Sequence, residues 1–140
     1  MFDLSDRPLV FIPVKWTVLR PGEEKDGVEG LAKELEVAIE VEVEIKDRDE
    51  LISLFDDKFG DDLDTEGAEV DGERLTGREL EVKRFLAVVK RWRKVVEKGK
   101  PLELNEANAR KMLLVPGFLS AFETAYLSAC AGKADIRKGN

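Results

Sequence analysis

The feature that most constrains the fold is a regular alternation of apolar and charged residues between positions 34 and 46. The odd positions are apolar: Leu35, Val37, Ile39, Val41, Val43 and Ile45. Most even positions are charged: Glu34, Glu36, Glu40, Glu42, Glu44 and Lys46. A period of two places these sets on opposite faces of a β-strand. We therefore predict a strand over residues 35–45 with one apolar face and one face carrying a row of glutamates.

The glutamate row has two interpretations. Its simplest interpretation is a solvated face of a sheet. Alternatively, it is an acidic strip that docks a basic helix or keeps the sheet edge from aggregating, since charged residues protect many natural edge strands.

A second alternation occupies residues 10–18, where every even position is apolar. Pro13 on the odd face lacks a backbone donor, which favours an edge strand or a bulge. The intervening stretch from Arg20 to Ala32 is rich in turn residues and charge, so we predict an antiparallel hairpin with a long tip. Asp47 and Glu50 have the spacing of a capping box, which predicts a short amphipathic helix over residues 48–59.

Residues 61–75 are strongly acidic and are predicted to form a linker. Four carboxylates there could suggest calcium: Asp61, Asp62, Asp64 and Glu66. The ligand order, central glycine and terminal glutamate of an EF-hand are missing, which favours a solvated acidic loop.

Thr76, with Glu79 three residues later, predicts the start of a helix that runs to about Lys98, before Gly99 and Pro101. At about 100° per residue its apolar and basic residues separate. The apolar side carries Val82, Phe85, Val88, Val89, Trp92, Val95 and Val96. The basic side carries Lys83, Arg84, Lys90, Arg91, Lys94 and Lys98. We expect the basic side to face water or to bind nucleic acid, although the acidity of the whole chain counts against nucleic acid.

Two shorter helices are predicted to follow. Asn105 can cap a helix over residues 106–114, and Pro116 suits the first turn of a helix that ends near Gly132. The apolar side of this last helix carries Phe118, Leu119, Phe122, Ala125, Tyr126, Ala129 and Cys130. Residues 133–140 have no apolar face and are expected to fray.

The predicted fold class is therefore α+β. An N-terminal antiparallel β-hairpin with a short helix spans residues 1–60, and the acidic linker spans residues 61–75. A C-terminal three-helix module spans residues 76–132, and a flexible tail spans residues 133–140. The 140 residues are about enough for one compact domain.

Composition favours a binding protein over an enzyme. The chain has no histidine, which removes the commonest general base near neutral pH and the commonest zinc ligand. Its single cysteine, Cys130, cannot form an internal disulfide. No apolar stretch is long enough for a membrane span and no basic leader is present, so we expect a cytoplasmic protein. A carboxylate-only mechanism is the remaining enzymatic alternative.

Charge is unevenly distributed within the net −7. Residues 1–70 carry 8 Lys and Arg against 21 Asp and Glu, whereas residues 71–140 carry 15 against 9. Such polarity can steer a partner, favour head-to-tail self-association, or let the two halves attract each other within one monomer.

The run from Arg84 to Gly117 resembles the tail assembly chaperones of long-tailed bacteriophages and prophages. Its pattern is a tryptophan-bearing helix, a turn with Gly and Pro, an Asn-capped helix that ends at a proline, and a last helix with an aromatic and small-residue stripe. The matching positions are Trp92, Gly99, Pro101, Leu102, Asn105, Leu113, Pro116, Phe122 and Tyr126. The N-terminal half is also similar, with a strand bearing Pro, Val and Trp before a charged hairpin and a short helix.

This resemblance implies a non-enzymatic protein without a cofactor that acts in the bacterial host cytoplasm. Such a chaperone binds the long hydrophobic tape measure protein, keeps it soluble and supports assembly of tail tube protein around it. Coating an extended partner also implies a homo-oligomer. The functional alternative is a generic module that binds protein or nucleic acid through the basic face of helix 79–98.

Two groups of residues are hypothesised to contact the partner. The apolar seam of the last helices supplies Phe118, Phe122 and Tyr126, with the alternative that all three aromatic side chains are internal core. The basic face of helix 79–98 supplies Lys90, Arg91 and Lys94.

Overall fold

A computed structural model of the chain describes residues 8–55, 69–70, 73–74 and 77–132. Strands and helices are both present, which confirms the predicted α+β fold. The strands are β1 (Leu9–Arg20), β2 (Glu24–Lys25), β3 (Val28–Glu29), β4 (Lys33–Glu44), β5 (Glu69–Val70), β6 (Glu73–Arg74), β7 (Val89–Arg93), β8 (Val96–Glu97) and β9 (Lys100–Pro101). The helices are α1 (Arg48–Phe55), α2 (Gly77–Val88), α3 (Glu106–Leu113) and α4 (Phe118–Cys130).

β1 and β4 form the predicted antiparallel hairpin, in unbroken register over the full length of both strands. At its tip β2 pairs with β3, and Asp26 and Gly27 join them with φ values of 54° and 76°. Two successive positive φ values are what a type I′ turn requires, and glycine adopts them without strain. The sheet order is β1-β4-β7, so β1 is an edge strand, as Pro13 predicted.

The helices and the apolar faces of β1 and β4 enclose one core. α4 packs across β1, while α2 packs against α3 and β7. The buried residues of the two long strands are Ile12, Val14, Ile39, Val41 and Val43. Burying an aliphatic side chain of this size stabilises the fold by about 1.5–3 kcal/mol. The faces predicted by the two alternations are therefore confirmed, except that Leu35, close to the hairpin tip, remains exposed.

No single helix in the described ranges combines the length and the apolar character of a membrane span. α3 and α4 reach those criteria only when taken together, and the chain bends by 103° between them.

The prediction of one helix over residues 76–98 is wrong beyond Val88. α2 ends there, and the chain continues directly as β7, which pairs antiparallel with β4. β-Branched residues favour a strand once a partner edge is available, and β4 offers both backbone groups and carboxylates. Gly99 does not end a helix either. Together with Lys98 it forms the turn between β8 and β9, with φ values of 78° and 52°.

The predicted caps of α1 and α3 and the end of α4 agree with the structure. The predicted start of the last helix does not, because α4 begins at Phe118 with Gly117 as its N-cap, and Pro116 lies in the preceding turn. Asp47 and Glu50 form the reciprocal capping box of α1, with hydrogen bonds of 3.0 and 2.9 Å. The Asn105 side chain accepts a 2.8 Å hydrogen bond from the Asn108 backbone N–H at the start of α3. Gly132 follows the end of α4 with a φ of 75°, the left-handed conformation common after helix ends.

Several parts of the sequence prediction lie outside the described residues. These are the N-cap at Thr76, the extension of α1 to residue 59, the carboxylates of residues 61–66 and the tail over 133–140. Of the acidic segment 61–75, the structure describes only β5 and β6, which pair with each other.

Candidate protein-binding surface

β4 is the central strand, and its glutamates lie on the face opposite the helices. β7 covers only part of the β4 edge that it occupies, in the pairs Val43–Val89, Glu42–Arg91, Val41–Trp92 and Glu40–Arg93. The register shifts beside Glu42, which leaves Lys90 as the extra residue of a β-bulge. Arg91 and Arg93 consequently share the face on which the β4 glutamates lie.

Glu42 and Arg91 form a bidentate ion pair on this face. The Arg91 guanidinium donates from Nε to Oε1 of Glu42 at 3.0 Å and from Nη2 to Oε2 at 2.9 Å. Two parallel hydrogen bonds from one planar guanidinium to one carboxylate are the strong bidentate geometry of an ion pair. The hydrogen bond from Arg91 lowers the pKa of Glu42, an effect that partial desolvation of the carboxylate opposes. The same bond raises the pKa of Arg91.

The neighbouring glutamates of β4 are also ion-paired. Glu40 contacts Arg93 Nε at 3.0 Å and Lys94 Nζ at 3.3 Å. Glu44 contacts Lys46 Nζ at 2.9 Å and Lys90 Nζ at 3.9 Å. Cations of β7, together with Lys94 after β7 and Lys46 after β4, therefore pair with both carboxylates. This half of the glutamate row is a ladder of ion pairs and not a free acidic strip.

An aromatic ring on β1 completes this ladder. The guanidinium carbon of Arg93 lies 3.5 Å from the centroid of the Phe11 ring, and that of Arg91 lies 5.3 Å from it. Both distances are within the range of cation–π attraction. The two arginines are thus held by carboxylates of β4 and by the ring of β1, across all three strands of the sheet.

The hypothesised basic contact residues occupy different positions from those predicted. Lys90 and Arg91 lie on β7 and Lys94 immediately follows it, so they do not form the face of a helix. β7 brings these three residues beside the central strand β4, where they pair with Glu44, Glu42 and Glu40.

The three aromatic residues hypothesised to contact a partner are all buried. Phe118 packs edge-to-face with Trp16 at 5.2 Å, and Phe122 with Phe85 at 4.9 Å between ring centroids. The Tyr126 hydroxyl donates a 2.8 Å hydrogen bond to the backbone carbonyl of Glu44, and burial raises the pKa of this phenol. The structure therefore places Phe118, Phe122 and Tyr126 in the core, which is the alternative that the sequence left open.

The residues that carry the resemblance occupy structural positions in the C-terminal half. The Trp92 indole donates a 2.7 Å hydrogen bond to the carbonyl of Leu102. Pro101 lies in β9, opposite Val96. Pro116 precedes Gly117, whose φ is 84°, and a Cβ on Gly117 would lie 3.4 Å from the Trp16 ring. These positions are structural and lie at turns, caps and close contacts.

Exposed apolar residues concentrate on the distal part of the hairpin, residues 17–36, which we call the arm. Leu19, Val28, Leu31 and Leu35 are 70%, 69%, 91% and 46% exposed. The arm is constricted near its tip, since a Cβ on Gly22 would lie 2.0 Å from the Leu31 carbonyl oxygen. The strand alternation assigned Leu35 to the apolar face, and no sequence pattern pointed to Leu19, Val28 or Leu31 as contact residues. The available signal was isolated apolar residues inside a charged, turn-rich segment.

Two carboxylates line one small depression between α2 and α4. Glu81 is buried, and burial raises its pKa, with a weaker raising effect from Glu123 and an opposing one from Arg78. Burial likewise raises the pKa of Glu123. The depression also borders Phe85 and holds about 10 Å³, close to the space of one water molecule.

Among the described residues, no group of three or more His, Cys, Asp or Glu side chains is arranged to hold a metal ion. Comparisons with protein-family models, curated proteins and solved structures found no match to this chain.

Proposed function

We propose that this chain is a non-enzymatic tail assembly chaperone of a long-tailed bacteriophage or prophage. In this proposal it binds the tape measure protein in the bacterial cytoplasm, keeps that protein soluble and supports assembly of tail tube protein around it. Several copies coat one extended partner. The proposal rests on the resemblance of the C-terminal half together with the surface of the arm.

The arm is the observation that carries a binding function. Four large apolar side chains, Leu19, Val28, Leu31 and Leu35, are exposed within a segment of 17 residues. The strand register places Leu19 on the glutamate face and Leu35 on the opposite face, so both faces of the arm carry exposed apolar residues. A monomer gains no stability from such surface in water, and it is available for contact with a protein partner. Charged residues in the same segment, including Glu24, keep such a surface soluble.

The nucleic-acid alternative has weaker support. Lys90, Arg91 and Lys94 are each within 3.9 Å of a carboxylate oxygen of β4. A phosphate group would have to compete with these carboxylates, whose negative charge also repels it. Binding to non-specific DNA that is sensitive to salt and weakens when these three residues are neutralised would instead favour that alternative.

Co-expression tests the chaperone proposal. The chain is produced together with a candidate tape measure protein, chosen as a long hydrophobic protein from a neighbouring gene, and the soluble fraction of this long protein is measured. We expect the chain to increase this fraction and to co-purify with the long protein. Equal solubility with and without the chain would contradict the proposal.

Matched variants assign the effect to the arm. Leu19→Ser with Leu31→Ser is expected to reduce the rescued fraction. Leu114→Ser with Leu127→Ser removes two exposed leucines outside the arm and is expected to preserve it. Circular dichroism and thermal unfolding of the purified variants verify that both pairs remain folded.

A further inference from the structure

β7 covers only part of the β4 edge that it occupies. β7 ends at Arg93, opposite Glu40, whereas β4 begins at Lys33. Within the described ranges, no strand pairs with residues 33–38 on that side. The backbone groups that point outward there form an open edge, which is a template for an added strand.

The open part of the edge repeats the pattern of the covered part. Residues 34–37 read Glu-Leu-Glu-Val, and residues 40–43 read Glu-Val-Glu-Val. In the covered part, the glutamates pair with arginines of β7. In the open part, Glu34 and Glu36 are exposed and have no ion-pair partner among the described residues. Leu35 between them is also exposed.

β7 therefore indicates the chemistry that fits the open edge. It is an extended segment, Val-Lys-Arg-Trp-Arg, in which arginines flank an apolar residue. An added strand of the same kind would place basic side chains beside Glu34 and Glu36 and an apolar side chain beside Leu35. No other run of this sequence has the pattern, and β7 is already paired with β4, which points to a partner protein as the source of the segment.

We propose that residues 33–38 of β4 bind an extended basic and apolar segment of a partner protein as an added antiparallel strand. This inference rests on the proposed function in one respect, since it describes how a protein partner is held. The main-chain ladder supplies affinity, while Glu34 and Glu36 select basic residues at alternate positions.

A labelled peptide with the alternating sequence Val-Arg-Trp-Arg-Val, taken from the part of β7 in which arginines flank Trp92, tests the proposal by fluorescence anisotropy with the full chain. A control peptide, Val-Arg-Arg-Trp-Val, has the same composition with its two arginines adjacent, so that they point to opposite faces of an added strand. We expect the alternating peptide to bind at least about tenfold more tightly, because only it matches the strand period. Equal affinity of the two peptides would show general charge attraction and overturn the proposal.

Charge reversal on the chain locates the site. Glu34→Lys with Glu36→Lys is expected to weaken binding of the alternating peptide about tenfold, since two attractions become repulsions. Glu24→Lys with Glu29→Lys makes the same change in net charge on the paired strands β2 and β3 and is expected to leave the affinity within about twofold. Equal losses in both variants would overturn the proposal.

Hydrogen exchange measured by NMR on the full chain identifies the edge that is used. The peptide is expected to slow exchange of backbone amides within residues 33–38. Slowed exchange along β1 instead would contradict the proposal. If sedimentation shows that Glu34→Lys with Glu36→Lys converts an oligomer into a monomer, the edge binds a second copy and the proposal is wrong.

The two proposals fail separately. Peptide binding at residues 33–38 without rescue of the long protein would leave the strand site standing and contradict the chaperone function. Rescue of the long protein, unchanged by the Glu34 and Glu36 reversals and without peptide binding, would support the chaperone function and overturn the strand site.

Discussion

Arg91 and Glu42 are 49 residues apart in the chain, yet two hydrogen bonds of 3.0 and 2.9 Å join their side chains. Glu42 belongs to the acidic half of the sequence and Arg91 to the basic half. Of the three consequences expected from the uneven charge, attraction between the halves of one monomer is therefore present in the structure.

Glu42→Gln is expected to lower the melting temperature near neutral pH and to have little effect in acid. Arg91 lowers the pKa of Glu42 from its ordinary value of 4.5. Such a carboxylate contributes stability that is present above the unfolded-state pKa and is lost as the pH falls through the folded-state pKa. Thermal unfolding at about pH 7 and about pH 3 measures this difference. The matched control is Glu34→Gln, and an equal loss at both pH values would contradict the prediction.

Glu81→Gln is expected to stabilise the protein near neutral pH. Burial raises the pKa of Glu81 above 4.5, so the folded state binds a proton more tightly than the unfolded state does. Stability is then lost as the pH rises from the unfolded-state pKa through the folded-state pKa, and the neutral amide avoids this loss. Urea unfolding at about pH 7 and about pH 4 should show a gain only at the higher pH. Glu103→Gln, at an exposed position, is the control.

Tyr126→Phe is expected to reduce the free energy of unfolding by about 1 to 2 kcal/mol, because the Glu44 carbonyl loses a buried donor. The hydroxyl now donates a 2.8 Å hydrogen bond to that oxygen, and the ring itself is fully buried. Chemical denaturation measures the change. The slope with denaturant should stay constant, since the variant retains the ring. An unchanged midpoint would mean that this bond adds no net stability.

Asn105→Ala is expected to cost about 1 kcal/mol through loss of the α3 cap. The side-chain oxygen of Asn105 accepts from the Asn108 N–H at 2.8 Å. Asn105→Asp preserves an acceptor and is expected to retain most of the stability. If the alanine and aspartate variants unfold at the same denaturant concentration, the cap is not the source of the effect.

The hairpin could be predicted from sequence because both strands have one buried face, and a period of two then identifies that face residue by residue. The caps at Asp47 and Asn105 could be predicted equally well, because each depends on side chains within three residues of the helix start. Local patterns therefore accounted for the elements whose determining interactions are local.

β7 could not be predicted from its own residues. From Val82 to Val96 the apolar positions fit a helix, and Val89 and Trp92 share one face of a strand only because of the bulge at Lys90. Pairing with β4, whose residue Glu42 lies 49 positions from Arg91, decided in favour of the strand. A pairing strand this distant in sequence cannot be identified from the residues of one or two helical turns.

The candidate surface was misplaced for a similar reason. An apolar stripe such as Phe118, Phe122 and Tyr126 has the same pattern whether it meets a core or a partner, and only the packing of β1 against α4 showed that it is core. The exposed Leu31 lies in a turn-rich segment, where no period exists to assign a face.

The order of the strands along the chain has a consequence for synthesis on the ribosome. β1 and β4 are complete 49 residues before Arg93, the last residue of β7, is added. At about 5 to 20 residues per second, the hairpin waits about 2.5 to 10 seconds for its third strand. During that interval the β4 edge is without β7, and the hairpins of neighbouring nascent chains can meet at this edge. Before β7 is added, Glu40 and Glu42 lack the cations that later pair with them, so we expect like charge to oppose pairing of β4 edges between nascent chains.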